Sequence, residues 1–234
     1  MAVNRMPLVL LPGLLCDAEL WRHQIDHLQD IADPIVADLT KASSMEAMAR
    51  SVLDAMPETF ALAGLSMGGY VAQAVLRLAP ERVSRLALLD TNFRADTDVQ
   101  RARRGDMMAL AEKGVFKGVT PRLLPSLIHE NRLQDESLVA AVMAMAERVG
   151  KEAFLRQERA ILGRSDGGTT LKAVTCPTLV LCGKDDALTP CALHEEMAEL
   201  IPDARLVVIL DCGHLSTMER PEAVSAAMEE WLAA

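Results

Sequence analysis

Residues 60–69 read FALAGLSMGG, and this stretch decides the expected fold. Its first six residues are apolar or small with no polar alternation, which is typical of a strand buried on both faces of a parallel sheet. Gly64 and Gly68 stand two positions before and two positions after Ser66, in the pattern GxSxG. A serine at a sharp strand-to-helix turn has a strained backbone and an exposed hydroxyl, and small neighbours prevent collisions there. The stretch therefore predicts a strand, a tight turn that presents Ser66, and a helix.

A glycine-rich turn before a helix can also bind phosphate. No Lys follows these glycines as it does in GKS or GKT, and the chain contains no GxGxxG. An ordinary structural turn is the other alternative for this segment. The interpretation of Ser66 as a nucleophile therefore depends on whether partners follow it in the chain.

Two candidate partners lie downstream at the ends of predicted strands. Asp186 follows the apolar run TLVLCG, and His214 follows RLVVIL. Open parallel sheets place their sites at the carboxyl ends of strands. When a serine at such a strand-to-helix turn is the nucleophile, the acid follows it along the chain and the histidine comes last. His214 would take the proton of Ser66, and Asp186 would fix the imidazole tautomer. Asp185, which adjoins Asp186, and Asp90, at the end of an earlier predicted strand, are the alternatives for the acid.

Apolar runs and helical patterns alternate along most of the chain. The runs that predict strands are residues 7–11, 35–39, 60–65, 83–90, 178–182 and 205–210. Helical periodicity appears between them at residues 18–29, 44–56, 67–78, 192–200 and 221–232. This alternation predicts a doubly wound, mostly parallel α/β sheet of about six strands.

The alternation stops at residues 94–175, where no strand pattern is found. Four helices are expected there, at 101–114, 121–128, 136–149 and 151–162, with SDGGTT at 165–170 as a flexible joint. The predicted organisation is a core of residues 1–93 and 176–234 with an all-helical insertion at 94–175. Its methionines are interpreted as core filling, with a substrate-facing role as the alternative, and they are Met107, Met108, Met143 and Met145.

Four segments together resemble the α/β-hydrolase superfamily, over nearly the whole chain from residue 7 to 232. They are LPGLLCDAELW at 11–21, GLSMGG at 64–69, GKDDALTP at 183–190 and CGHLSTMERPEAV at 212–224. The resemblance implies that the insertion is a cap over the pocket and that the backbone N–H groups of Leu14 and Met67 form an oxyanion hole. Pro12-Gly13 stands where many relatives have His-Gly. The chain before Pro7 has no room for the usual first two antiparallel strands.

The activity implied by this resemblance is serine hydrolysis of a carboxylic ester through an acyl-Ser66 intermediate. Thioesters, lactones and carbon–carbon bonds use the same machinery and stay open as substrates. A slow-turnover, receptor-like protein that binds a ligand is the alternative from another class. Serine at the turn argues against dehalogenase and epoxide hydrolase chemistry, which similar proteins carry out with aspartate. No metal or organic cofactor is implied.

Composition and charge exclude several partners. The 24 Lys and Arg against 33 Asp and Glu give a net charge of −9, which repels a nucleic-acid backbone. Five cysteines lack the paired spacing of a zinc site, and His23 and His27, four apart, lack a third ligand. No apolar run resembles a signal-peptide core or a membrane span, so a cytoplasmic protein is expected. The sequence predicts no oligomeric state.

Three arginines begin the insertion, at positions 101, 103 and 104. They predict a solvated helix face, and the alternative is attraction of an anionic acyl carrier or a carboxylate to the pocket.

Overall fold

The computed structural model describes residues 5–234, and six parallel strands form its single sheet. The strands are β1 (Met6–Leu11), β2 (Ala32–Val36), β3 (Phe60–Leu65), β4 (Val83–Leu89), β5 (Thr178–Gly183) and β6 (Ala204–Ile209). Their order is β2-β1-β3-β4-β5-β6, with every neighbouring pair parallel. The expected doubly wound sheet of six strands is therefore confirmed.

The strand order changes direction between β1 and β3, because the chain adds β2 on one side of β1 and β3 on the other. Open α/β sheets bind ligands in the crevice outside the carboxyl ends of the strands at such a switch point. The residues that follow β1 and β3 are Pro12–Leu14 and Ser66. The topology thus brings the two glycine-containing motifs of the sequence to the same edge of the sheet.

One strand lies earlier in the chain than predicted. The sequence favoured residues 35–39, but β2 spans Ala32–Val36 and includes Pro34. As the edge strand it pairs only with β1, so the missing N–H of a proline is tolerated. Ala37 and Leu39 are apolar because they are buried in the loop that follows.

Nine α-helices accompany the sheet in residues 5–234. They are α1 (Arg22–Leu28), α2 (Met45–Ala55), α3 (Met67–Leu78), α4 (Asp98–Glu112), α5 (Glu136–Leu162), α6 (Gly168–Lys172), α7 (Cys191–Leu200), α8 (Ser216–Glu219) and α9 (Pro221–Ala233). None of them is long and apolar enough to cross a membrane.

Alternate residues of the strands supply two hydrophobic layers, since side chains point to opposite faces of a sheet. Val9 and Leu62 pack on one face, against residues of α2, α3 and α7. Leu8 and Ala61 pack on the other, against residues of α1, α9 and the first half of α5. Both faces are therefore covered, which explains why β3 is buried at every position.

The chain between β4 and β5 contains α4, α5 and α6 and no strand among its described residues. The predicted helix at 121–128 is wrong: this stretch forms turns with a short 3₁₀ segment at Leu124–Ser126. Pro125 accounts for the difference, because inside the predicted helix it lacks the N–H that an α-helix needs, whereas Pro121 would be tolerated at the first position. The two helices predicted at 136–149 and 151–162 are the halves of α5, which meet at Gly150 with φ 76° and ψ 174°.

The stretch SDGGTT is not the flexible joint that its composition suggested. The Gly167 N–H donates to the carbonyl oxygen of Phe93 at 2.7 Å, and α6 begins at the next residue, Gly168. A Cβ on Gly167 would lie 1.9 Å from the side-chain oxygen of Gln73. Close packing therefore explains the glycine at this position.

Candidate active site

Ser66 occupies the turn between β3 and α3, with φ 55° and ψ −115°. Its N–H donates to the carbonyl oxygen of Leu89 at 3.0 Å, which ties the turn to the end of β4. A Cβ on Gly64 would lie 2.4 Å from the carbonyl oxygen of Gly68, and a Cβ on Gly68 would lie 2.1 Å from that of Leu11. The backbone segments on both sides of the turn approach too closely for any larger residue. The strained turn leaves the Ser66 hydroxyl at the edge of the sheet.

The three residues proposed from the sequence lie in one chain of hydrogen bonds. His214 Nε2 is 2.9 Å from Ser66 Oγ, and His214 Nδ1 is 2.8 Å from Asp186 Oδ2. The side chains of His214 and Asp186 are 4% and 0% exposed. In this arrangement Nδ1 donates to the carboxylate, and Nε2 is left to accept the serine proton.

The loop after β5 holds Asp186 as a carboxylate. Its Oδ1 accepts the backbone N–H groups of Leu188 at 2.8 Å and Thr189 at 2.9 Å, and its Oδ2 accepts the Thr189 hydroxyl at 2.6 Å. Burial raises the pKa of Asp186, but the charge of His214 and the hydrogen bonds from His214 and Thr189 outweigh it. The pKa of the Asp186 carboxyl therefore lies below its usual value. The segment 183–190 contains Thr189, but the sequence did not predict its hydrogen bonds to Asp186.

The alternative acids lie elsewhere. Asp185 is exposed, and its carboxylate is 3.5 Å from His129 Nε2. Asp90 is fully buried, and it accepts the Gly183 N–H at 2.9 Å and the Ser216 hydroxyl instead of an imidazole N–H. Burial, and then the nearby charge of Asp186, raises the pKa of Asp90 well above its usual value. Asp186 is therefore the carboxylate that contacts His214.

Glu219 at the end of α8 orders the loop that carries His214. Its carboxylate accepts the backbone N–H groups of Gly213 at 3.1 Å and Leu215 at 3.2 Å, one residue on each side of His214. It also accepts the His129 N–H at 2.7 Å, which joins this loop to the chain before α5. Sequence reasoning missed Glu219, because nothing in the local pattern distinguishes it from a solvated helix residue.

The loop after β1 carries Leu14, whose N–H is expected to contribute to an oxyanion hole with that of Met67. Met67 is the first residue of α3, where backbone N–H groups have no carbonyl partner within the helix. A Cβ built on Gly13 would lie 3.5 Å from Ser66 Cβ, so this loop borders the serine. The next N–H, that of Leu15, donates to Gln157 Oε1 of α5 at 3.1 Å. Gln157 is buried, and the sequence did not predict its role in holding the loop.

A cavity of about 800 Å³ opens beside Ser66 and His214. One wall comes from the loops after β1 and β5, and the opposite wall comes from α4, α5 and the turns between them. Met107 and Met145 line it, whereas Met108 and Met143 do not. Arg103 and Arg104 line it too, so part of the arginine run faces the cavity and not only solvent.

The other candidates from the sequence lie away from this cavity. His23 Nδ1 is 2.8 Å from Ser225 Oγ, and His27 Nε2 is 3.1 Å from a Glu229 carboxylate oxygen. Within residues 5–234, no group of three His, Cys, Asp or Glu side chains is arranged to hold a metal ion. Burial raises the pKa of the Cys16 thiol to about 12 and also raises that of Cys212. Both thiols are therefore protonated at neutral pH and unsuited to act as nucleophiles.

The pH dependence of catalysis follows from the position of His214. Burial lowers its pKa, but the carboxylates of Asp186 and Asp90 outweigh burial, so the net pKa lies above the ordinary 6.5. His214 must be neutral to accept a proton, so we expect kcat/KM to rise with pH through a pKa above 6.5. A pH profile of ester hydrolysis measures this limb. An acid limb at or below 6.5 contradicts the assignment.

The two methionines of α5 give a matched pair of variants. Met145 is 1% exposed and lines the cavity, whereas Met143 is half-buried outside it. Met145→Ala should lower the free energy of unfolding by about 2–5 kcal/mol and shift the preference toward longer acyl chains, because it enlarges the cavity. Met143→Ala should cost less stability and leave the preference unchanged. Denaturant melts and kcat/KM across an ester series test both; an equal shift in both variants would contradict the assignment of Met145 to the cavity.

The fold and the site together define the class of protein. A parallel α/β sheet with a serine at the strand-to-helix turn, a histidine after the last strand and an acid after the preceding one is the arrangement of α/β hydrolases. The chain belongs to the alpha/beta hydrolase family, whose model matches residues 8–227. Membership of this family supports hydrolase activity.

Three similar proteins show the range of the family around this chain. A putative non-heme bromoperoxidase of Mycobacterium tuberculosis is 32% identical over 73% of this chain, a match that spans 66% of its own length, just under two thirds. A pimeloyl-[acyl-carrier protein] methyl ester esterase of Legionella pneumophila is 28% identical over 97% of this chain and 95% of its own. A thermophilic esterase of Thermogutta terrifontis, solved with malate bound, superposes with a TM-score of 0.90 at 32% identity, covering 97% of this chain and 89% of its own.

Proposed function

We propose that this protein is a serine hydrolase that cleaves a carboxylic ester through an acyl-Ser66 intermediate. The observation that carries the proposal is the hydrogen-bonded chain from Asp186 through His214 to Ser66 at the wall of the cavity. Two of the similar proteins are esterases by name, which favours an ester over a thioester, a lactone or a carbon–carbon bond.

The mechanism follows from which atoms can donate and accept protons. Ser66 Oγ attacks the ester carbonyl carbon while its proton passes to His214 Nε2. The carbonyl oxygen becomes an oxyanion, which the N–H groups of Leu14 and Met67 stabilise together with the N-terminal end of α3. Asp186 stabilises the imidazolium. The intermediate collapses, and the alcohol leaves with the proton from His214.

The second half of the reaction repeats these steps with water. His214 takes a proton from a water molecule, which attacks the acyl carbon bound to Ser66. Collapse of the second oxyanion breaks the bond to Ser66 Oγ, which recovers its proton from His214. The products are a carboxylic acid and the free enzyme, and no step needs a metal or an organic cofactor.

The proposal assigns catalysis and the selection of substrate to two different parts of the chain. Residues 94–175 form a helical cap, and residues 1–93 and 176–234 form the core that carries the chemistry. This assignment is supported by the cavity, because α4 and α5 supply one wall and the core supplies Ser66 and His214. It is also supported by Gln157, which links α5 to the loop of Leu15. A cap of this kind excludes water and selects the acyl group.

Labelling and turnover measured together test the proposal. A fluorophosphonate should label the wild-type protein at Ser66, identified by peptide mass, and a p-nitrophenyl ester should give burst release followed by steady turnover. A screen of esters, thioesters and lactones then compares kcat/KM values, and the ester should be the best substrate. Labelling without turnover would support the receptor-like alternative, and absence of both would refute the proposal.

A further inference from the structure

The cavity is cationic although the protein is acidic. The chain has a net charge of −9, yet the residues that line the cavity include five basic side chains and only two carboxylates. The basic side chains are Arg103, Arg104, Lys117, Arg122 and Arg164. A wall that opposes the net charge of its protein concentrates anions against the general repulsion of the surface. This contrast points to a negatively charged substrate.

The two carboxylates of the wall are buried, and each forms an ion pair with an arginine, although Glu158 Oε1 has no hydrogen-bond partner among residues 5–234. Asp96 accepts Arg104 Nε at 2.8 Å and Arg164 Nη2 at 2.7 Å, and Glu158 accepts Arg104 Nη1 at 2.8 Å. The side chains of Asp96 and Glu158 are 1% and 0% exposed. Their function is to orient the arginines, which a buried charge pair does well when its geometry is constrained.

Arg164 is fully engaged by the protein. Besides Asp96, its guanidinium donates to the carbonyl oxygens of Arg94 and Ile161. It also lies 4.3 Å from the centre of the Tyr70 ring. Its side chain is only 5% exposed, so it has a structural role beside the cavity.

Of the two arginines paired with Asp96 and Glu158, Arg104 is the one that can still donate. Its side chain is 20% exposed, and its Nε and Nη1 groups are held by Asp96 and Glu158. The Nη2 amino group takes part in no hydrogen bond among residues 5–234. A guanidinium held at two of its donors loses little freedom when the third binds a ligand oxygen. This amino group is therefore a fixed hydrogen-bond donor for an anion on the cavity wall.

The rim of the cavity adds three basic side chains that are not in ion pairs among residues 5–234. Arg103, Lys117 and Arg122 are exposed, and none of them forms an ion pair within the part of the chain that the structure describes. Unpaired charges at a cavity mouth raise the local concentration of an oppositely charged ligand.

The charged cluster and Ser66 line the same cavity. Tyr70, on which Arg164 stacks, is four residues after Ser66 in α3, which is about 6 Å along the helix axis. The rest of the wall is largely apolar and includes Val142, Met145 and Phe154. A ligand that reaches both Ser66 and Arg104 therefore needs an apolar chain between its two polar ends.

We propose that the substrate is an ester that also carries a carboxylate, with the carboxylate bound by Arg104 and the ester carbonyl at Ser66. This inference rests on the proposed ester hydrolysis. A carboxylate fits better than a phosphate monoester, because within the described residues Arg104 has a single amino group without a partner, which suits two acceptor oxygens better than the three of a phosphate. Half-esters of short dicarboxylic acids have the required shape and charge.

Matched ester pairs test the charge preference. Monomethyl glutarate, adipate and suberate are compared with the methyl esters of the monocarboxylic acids of the same chain length, by proton release at neutral pH. We expect kcat/KM for at least one half-ester to exceed that of its neutral partner by about tenfold or more, the range of one charge-assisted hydrogen bond. The preference should weaken with added NaCl, because the rim charges are screened.

Substitutions in α4 test which residue causes the preference for half-esters over neutral esters. Arg104→Gln should lower the ratio of half-ester to neutral-ester kcat/KM by about 10- to 100-fold, mainly through KM. Arg101→Gln is the matched control, since Arg101 is exposed on the same helix and does not line the cavity. If Arg104→Gln fails to fold, Arg103→Gln and Arg122→Gln, at exposed positions, should each lower the ratio by a smaller factor. A control that changed the ratio as much as Arg104→Gln would overturn the assignment.

The outcomes separate this inference from the proposed function. Neutral esters hydrolysed at least as well as every half-ester, with no competitive inhibition by glutarate, adipate or suberate, would overturn the inference and leave ester hydrolysis intact. If neither kind of ester is hydrolysed, the proposed function fails. Calorimetric titration of the same diacids into wild type and Arg104→Gln then decides the anion site, because binding only to the wild type supports it and binding to neither overturns it.

Discussion

Ser66→Ala should lower ester turnover by about 10⁴- to 10⁶-fold without lowering the melting temperature, because it removes the nucleophile and leaves the buried core unchanged. His214→Ala should cost a similar factor. The double variant should be little worse than either single one, since the hydroxyl and the imidazole act as one unit with a contact of 2.9 Å. The measurement is kcat with a p-nitrophenyl ester for the three variants, alongside thermal melts.

Ser84→Ala is the control for this series, since Ser84 is exposed on β4 and does not line the cavity. It should keep both fluorophosphonate labelling and turnover, whereas Ser66→Ala should lose both. Ester hydrolysis near the wild-type rate in Ser66→Ala would show that the reaction does not pass through an acyl-Ser66 intermediate.

Asp186→Asn should lower turnover by about 10⁴-fold while the protein stays folded. The amide can no longer accept the Nδ1 proton of His214 as a charged partner, so the tautomer that leaves Nε2 free for Ser66 is lost. The 2.8 Å contact between Asp186 Oδ2 and His214 Nδ1 makes this carboxylate the one expected to matter. Steady-state kinetics and circular dichroism of the purified variant measure the effect.

Asp90→Asn is the matched comparison, because Asp90 is also buried at a strand end but contacts Gly183 and Ser216. The asparagine oxygen can keep the bond from Gly183, so the loss should be about tenfold at most, equivalent to one net hydrogen bond. A silent Asp186→Asn together with an inactive Asp90→Asn would move the catalytic acid to the end of β4 and refute the assignment.

The central elements of the fold could be predicted because their signals are local. The strand β3 and the helix α3 begin and end where the apolar run and the helical period of residues 60–78 indicate. Gly64 reports a close backbone approach to Gly68 across the turn, and Gly68 reports one to Leu11 of β1. Placing Asp186 and His214 after strands was sufficient to bring them together, since parallel strands share one carboxyl edge.

The segment between β4 and β5 was predicted less well, and the reason is the same dependence on local signals. The apolar residues of 121–128 gave a helical period, but Pro125 prevented the helix. At residues 121–128, one residue without a backbone N–H therefore outweighed the helical hydrophobic pattern. The predicted boundary between two helices at Gly150 is confirmed, because its φ of 76° and ψ of 174° are non-helical and the two halves of α5 meet there.

The amino-acid sequence by itself determined the sheet, the turn at Ser66 and the three residues of the hydrogen-bonded chain. Only the tertiary structure decided which hydrogen bonds hold these parts in place and which side chains line the cavity. Gln157 reaches Leu15 across 142 positions, Glu219 reaches His129 across 90, and Arg104 reaches Glu158 across 54. Such contacts leave no period or motif in the chain, because hydrogen bonds between distant residues depend on the packing of whole elements and not on the order of their neighbours.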